Sequence, residues 1–227
     1  MPDILFAIAF AVVSIGISVG FALQYWNHPD RVAKRRITAM PLVPIADVSE
    51  GDLVRISGAV KVDRKTVLEA PLTGRRCAGY VVEVFHATHR RDEGTVELVR
   101  EQQLTNFVLE DATGSAHIDT FGAELVLVRD RAESISGTLE PGVRAQHLLD
   151  DHGIESKGFL LQKNLMFREG ILAPNEKITV VGKARREGDL SSSERSGYRD
   201  SATQLVLTGG GAGVLMISDD PKTVGPG

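Results

Sequence analysis

The stretch 51-GDLVRISGAVKV-62 decides how the rest of the chain is read. Val54, Ile56, Val60 and Val62 alternate with Arg55, Ser57, Ala59 and Lys61, the period-two pattern of a strand with one face buried and the other wet. Gly58 falls on the apolar face, where a missing side chain permits a bulge or a sharp coil. A second run, 177-KITVVGK-183, repeats the same grammar and ends on Gly182 with its lysine. The two runs are expected in similar positions of one sheet.

Between and after them the chain reads as short strands separated by turns. Pro71 and Gly74 mark a turn before a strand over 77–85 (CAGYVVEVF); a charged hairpin tip at 90–94 leads to a returning strand over 95–100. The unit 107–120 is strand, turn, strand: Asp111 and Thr113 hydrogen-bond within the turn and Gly114 supplies a positive φ. Residues 124–128 continue extended, and further strands follow over 159–168, 203–208 and 214–218. This spacing indicates a closed or half-closed β-barrel rather than alternating β and α units. One helix is predicted over 141–152, with Val143, His147 and Leu148 or Leu149 on one stripe and Gly153 past its end, placed to plug one end of the barrel. The polar stretch 187–202 reads as a mobile loop, and Gly209, Gly210 and Gly211 as a hairpin turn, because no Gly-Lys-Ser/Thr opens a helix there.

Working outward to the amino terminus, 4-ILFAIAFAVVSIGISVGFAL-23 carries no charge. A helix of roughly twenty residues is about 30 Å long, the thickness of a bilayer core, so the run reads as a transmembrane anchor. Only Met-Pro-Asp precedes it, which is not the basic leader of a cleaved signal peptide, and Tyr25 and Trp26 stand where an interfacial aromatic belt would lie. Arg31, Lys34, Arg35 and Arg36 follow, predicting a single-pass topology with the amino terminus outside and the β domain cytoplasmic; the same four are candidate contacts for anionic lipid. Gly16 and Gly20 form a G-x-x-x-G pair through which two copies could associate as a homodimer. Residues 37–48, with Pro41 and Pro44, read as an extended connection to the fold.

Composition bounds the function. The chain has 227 residues with a net charge of -4, 42% hydrophobic and 25% charged, which suits an ordinary globular domain with one core. Aromatic residues make up 5%, and Arg75, Arg76, Tyr80, Arg90 and Arg91 are the nearest thing to a basic stacking surface, so nucleic acid is not an expected partner. One cysteine, Cys77, excludes an internal disulfide framework, and six histidines with one close pair, His86 and His89, do not make a zinc site. No catalytic set and no cofactor site is legible.

Six segments carry a resemblance: GDLVRISGAV from Gly51, APLTGRRCAGYVVEV from Ala70, FVLEDATGSAHID from Phe107, LDDHGI from Leu149, FREGILAPNEKITVVGKA from Phe167 and VLMISDD from Val214. In this order they resemble the membrane-adjacent domain of the GIDE family, named after a mitochondrial E3 ubiquitin ligase. The D-x-T-G strand pair also resembles OB-type barrels, implying a five-stranded core with additions. The expected fold is mainly β, an OB-like barrel with an inserted helix behind one amino-terminal transmembrane helix. Its parts are an anchor at 1–26, a basic, Pro-containing linker at 27–47, a GIDE-like barrel domain at 48–218 and a disordered tail at 219–227. The family's eukaryotic members imply a second membrane helix and a cytosolic RING; with one cysteine the two zinc sites of a RING cannot be built here. The chain resembles the RING-less bacterial relatives. The expected function is a non-catalytic binding or scaffold module at the membrane surface for a protein, peptide or lipid partner, the alternative being the family's ubiquitin-transferase role.

Overall fold

β1 (Leu53–Lys61) is paired along both edges, since a strand with one buried face still has to satisfy its backbone on each side. It runs antiparallel to β11 (Lys177–Gly188), from Leu53 opposite Lys183 to Ala59 opposite Lys177, and its end pairs with β6 (Phe107–Glu110), Val60 opposite Leu109. β6 is antiparallel to β7 (Ser115–Ile118), β7 is parallel to β12 (Thr203–Thr208), and β12 returns antiparallel to β11. Five strands thus close into a barrel with the ring order β1-β6-β7-β12-β11. The computed structural model describes residues 29–87, 95–135, 142–154, 164–188, 203–209 and 215–225. Ile56, Val60, Leu109, Ile118, Val180 and Leu207 fill the barrel. Gly58 sits where β1 passes from β11 to β6 and the registers continue on both sides; a Cβ there would stand 2.3 Å from the Glu110 carbonyl oxygen. The glycine serves a close approach and not a bulge.

β13 (Met216–Ser218) lies on the edge of β11 that β12 also uses, in the same direction, and β8 (Glu124–Val126) runs parallel to β13. Gly210 and Gly211 of the expected hairpin turn lie outside the described residues; the segments on either side, β12 and β13, run in the same direction and do not pair as a hairpin. Gly182 of β11 lets them stay close, since a Cβ on it would meet Leu215 Cδ1 at 2.6 Å and the Thr208 oxygen at 3.2 Å.

A second, antiparallel sheet has the order β5-β4-β10-β9, with β4 (Gly79–Ala87), β5 (Thr95–Leu104), β9 (Arg131–Ile135) and β10 (Asn164–Leu172). α2 (Val143–Asp151) packs Ala145, Leu148 and Leu149 on it, and Gly153 takes φ 67° just beyond the helix as expected. α2 covers this sheet instead of plugging the barrel, and the single core expected becomes two. The cause lies in β4: Val81 faces the barrel interior while Val82 and Val84 face α2, so the strand is apolar on both sides. The short strands β2 (Leu68–Glu69) and β3 (Arg76–Cys77) pair beside it.

The linker expected over 27–47 contains α1 (Pro29–Ala39) and a 3-10 turn (Ile45–Asp47). Only Ala33 and Ile37 of α1 are fully buried, a stripe too thin to stand out in the sequence. Ile37 packs with Val181 and Met216. The expected tail is packed too: Asp219 and Asp220 are buried, and α3 (Pro221–Val224) buries Thr223 and Val224, its first turn capped by the Asp220 side chain. The expected anchor, with Gly16 and Gly20, lies outside the described residues, among which no helix is long and apolar enough to cross a membrane.

Candidate functional site: a groove across the outside of the barrel

Side chains alternate across a strand, so the residues between the core positions of the barrel form its outer wall. One row crosses all five strands: Lys61 is opposite Val108, Val108 opposite His117, His117 beside Val206, and Val206 opposite Arg185. The row floors an open groove of about 570 Å³, within the size range of ordinary ligand sites, ~300–1,000 Å³. Its middle is apolar, from Val108 and Val206, and its ends are basic. Each basic end is already paired. Lys61 lies 3.8 Å from Glu110 and donates to Asn175 Oδ1 at 2.8 Å, while Arg185 bonds to Glu187. Asp63 and Asp119 also line the groove, so neither sign of charge dominates.

At one rim Asn106 Oδ1 accepts from both the backbone N–H and the hydroxyl of Thr120, at 3.0 and 2.8 Å, fixing the chain as it leaves β7. The next residue, Phe121, is 90% exposed, and its N–H reaches the Oδ1 of the groove residue Asp119 at 3.4 Å. Gly122, at φ 68°, completes the turn. The turn thus leaves a solvated phenyl ring two residues past the groove residue Asp119. Its sequence signal is a lone phenylalanine between Thr120 and Gly122, an apolar residue where turn chemistry calls for a polar one.

The D-x-T-G turn does more than bond within itself. Asp111 Oδ1 accepts from the N–H groups of Thr113 and Gly114 at 2.6 and 2.9 Å, while its Oδ2 accepts from the Ile45 N–H at 2.9 Å, pinning the 3-10 turn to the barrel. Burial pushes this carboxyl up, but the Thr113 hydroxyl and the three N–H donors outweigh it and hold the pKa below the usual value. The positive φ expected at Gly114 is not found; the glycine instead gives room to Ile45, whose Cγ2 would lie 3.3 Å from a Cβ.

The four basic residues singled out in the sequence share α1. Lys34 pairs with Asp220 at 2.6 Å, Arg31 is half-buried, and Arg35 and Arg36 are exposed. None of them lines the groove. Of the residues weighed for nucleic acid, Tyr80 is 5% exposed in the second core and donates its hydroxyl to Glu101, which removes its ring from any stacking surface. Arg90 and Arg91 lie outside the described residues, as does His89. Cys77 is buried beneath α2, and burial raises its thiol to about 11. A thiol so raised is inert as a nucleophile.

Asp130, Glu176 and Asp219 each spend an oxygen on a backbone N–H, of Ile171 at 2.9 Å, Ala173 at 2.7 Å and Val128 at 2.7 Å. Asp130 and Asp219 tie segments distant in sequence, whereas Glu176 closes its own turn. Burial, and then the charges of Glu176 and Asp130, push Asp219 to about 7. Among the described residues no group of three or more His, Cys, Asp or Glu side chains is arranged to hold a metal ion.

A family model described as GIDE, E3 ubiquitin ligase, matches residues 83–198, from the middle of β4 to beyond β11. No curated protein and no solved structure matches the chain.

Proposed function

Because the chain belongs to the GIDE family, we propose that it is a membrane-anchored, non-catalytic binding module whose barrel presents a groove to a polypeptide partner at the membrane surface. Residues 4–23 are the anchor, crossing once with the amino terminus outside, and the β domain lies on the cytoplasmic side. The barrel is of the OB type: its ring order and the single parallel pair, β7 with β12, support that assignment. In such barrels ligands lie over the second and third ring strands, here β6 and β7, where Val108 and His117 floor the groove.

The observation that carries the reading is a groove with an apolar floor and charges of both signs, together with the exposed Phe121 two residues past the groove residue Asp119. Polypeptides present that mixture; a polyanion requires a basic track. The test is photo-cross-linking from a probe at the groove residue Gln204 in native membranes, with Phe121→Ala and His117→Glu as loss variants and Val143→Ala, at a 74% exposed position on α2, as control. A reproducible partner lost in the first two and kept in the third supports the proposal. No reproducible partner, or one indifferent to Phe121, overturns it.

The family's description as an E3 ubiquitin ligase carries a second reading, in which the domain presents substrates to ubiquitin transfer. The residues of this chain hold one cysteine and cannot build the paired zinc sites of a RING, so on that reading the RING comes from another subunit. Ubiquitin transfer by this chain with no RING subunit added would overturn the non-catalytic assignment.

A further inference from the structure

Away from the groove, a cleft of about 340 Å³ opens between α1 and the face of the second sheet turned away from α2. Its charged lining is Lys34, Arg100, Arg129 and Arg168 against Glu83 and Glu97. Glu83 is 4% exposed and fully engaged: Arg129 holds both of its oxygens, Nε to Oε2 at 3.0 Å and a terminal nitrogen to Oε1 at 2.6 Å, and Arg100 adds a contact at 3.2 Å. Glu97 lies 3.9 Å from Arg100. Lys34 is held from its other side by Asp220 and forms the wall.

Arg168 is different. Its guanidinium lies 5.1 Å from the centroid of the Phe85 ring, and a terminal nitrogen approaches Met166 Sδ at 3.6 Å. Among the described residues it has no carboxylate partner within ion-pair distance. It sits half-buried in mid-strand, at the position of β10 opposite Glu83. A planar fork stacked on an aromatic face keeps its edge available for a planar or tetrahedral oxyanion. With both carboxylates of the cleft spent on Arg129 and Arg100, the remaining positive charge has no counter-ion among the described residues.

We infer that this cleft binds the phosphate of an anionic phospholipid headgroup, with Arg168 as the fork, Arg100 beside it and α1 as the wall facing the membrane. The membrane is the source because Pro29, the first described residue of α1, stands six residues after the end of the apolar run 4–23, and that length of chain spans at most roughly 20 Å. The exposed Arg35 and Arg36 on the same helix add attraction for an anionic surface. The inference rests on the membrane-surface reading and adds to it a specific lipid class and the residues that select it.

The experiment uses the full chain in neutral detergent. Native mass spectrometry compares retention of dioleoyl phosphatidylglycerol with phosphatidylcholine of the same chains, with inorganic phosphate as competitor. The wild-type chain should retain the anionic lipid preferentially. Arg168→Gln should weaken that retention at least about fivefold, as expected for loss of a charge-assisted bond, while Arg168→Lys restores part of it. Arg36→Gln, outside the cleft, should leave it within about twofold. Equal retention of the two lipids overturns the inference, as does a preference that follows Arg36 and ignores Arg168, which would be general surface charge. Capture of inorganic phosphate without lipid preference overturns the membrane source. Circular dichroism melts of the Arg168 variants separate lost binding from lost folding. A chain that pellets with membranes yet shows no headgroup preference defeats this inference alone; a chain that does not pellet defeats the membrane reading as well.

Discussion

The Lys34 ammonium of α1 lies 2.6 Å from Asp220 Oδ2, so the helix that enters the domain is fastened to the segment that ends its described part. Asp220 also accepts from the Lys222 N–H at 2.9 Å, capping α3. Burial pushes its carboxyl up, but the bonds from Lys34 and Lys222 outweigh this and hold its pKa below the usual value. The stabilisation is therefore present above the unfolded pKa, near 4, and is lost as pH falls through the lower folded value. Asp220→Asn should cost about 1–2 kcal/mol at neutral pH and remove that share of the acid-limb slope. Chemical denaturation from pH 2.5 to 7 measures it.

The adjacent residue should behave in the opposite sense. Asp219 is raised to about 7 by burial and by Glu176 and Asp130. Its folded form binds the proton more tightly than its unfolded form, so stability falls as pH rises from about 4 to 7. Asp219→Asn keeps an acceptor for the Val128 N–H and cannot ionise. The variant should be more stable than wild type at pH 8 by roughly 2–4 kcal/mol, with no gain at pH 3.5. A wild-type curve as steep in the variant would show that Asp219 is not the group responsible.

Arg55 is a third tie at the same place. It is 8% exposed and donates to the carbonyls of Met40, just past α1, at 3.0 Å and of Thr223 in α3, while its Nε has no partner among the described residues. Arg55→Met would leave the Met40 carbonyl without this donor and the Thr223 carbonyl with the Thr179 hydroxyl alone, and should cost roughly 1–3 kcal/mol. Hydrogen exchange should rise first in residues 29–40 and 221–225, ahead of the barrel. Uniform loosening across the barrel would contradict this role.

Barrel closure can be tested at Gly58. Any Cβ there meets the Glu110 carbonyl oxygen at 2.3 Å, a backbone atom that cannot step aside. Gly58→Ala should cost about 3 kcal/mol, and Gly188→Ala, with nothing within 4 Å of the added carbon, should stay within about 0.5 kcal/mol. Urea midpoints of the pair give the comparison directly.

The strands of the barrel were legible as short apolar or alternating runs between turns: β1, β6, β7, β11 and β12 all fall within the runs read as strands, although β11 buries five consecutive residues and does not alternate there. What the pattern does not encode is which strands share a sheet. β4, apolar on both faces, looks like one more barrel stave, and only the competition of two cores for Val81 and Val82 sends it to a second sheet. α1 was hidden because its burial rests on Ala33 and Ile37 alone, and the packing of 219–225 because a few polar bonds, not an apolar run, hold it. The groove was illegible for a related reason. Its row, Lys61 to Arg185, is assembled from five strands and has no contiguous signature, whereas Phe121 was present in the sequence as an apolar residue in a turn.

The pairing of β1 with β11 joins Leu53 to Lys183, and it sets a timetable for synthesis. As the chain leaves the ribosome, β1 emerges early with Val54, Ile56 and Val60 uncovered, and its longer partner does not exist until most of the domain has been made. Everything in the second sheet is translated in that interval, since β4, β5, β9 and β10 all lie between the two. The barrel therefore cannot close before β11 and β12 have been made. A nascent chain held at residue 176 should remain open to protease, and one released past 218 should become resistant in a single step, as a fold dominated by distant pairings requires.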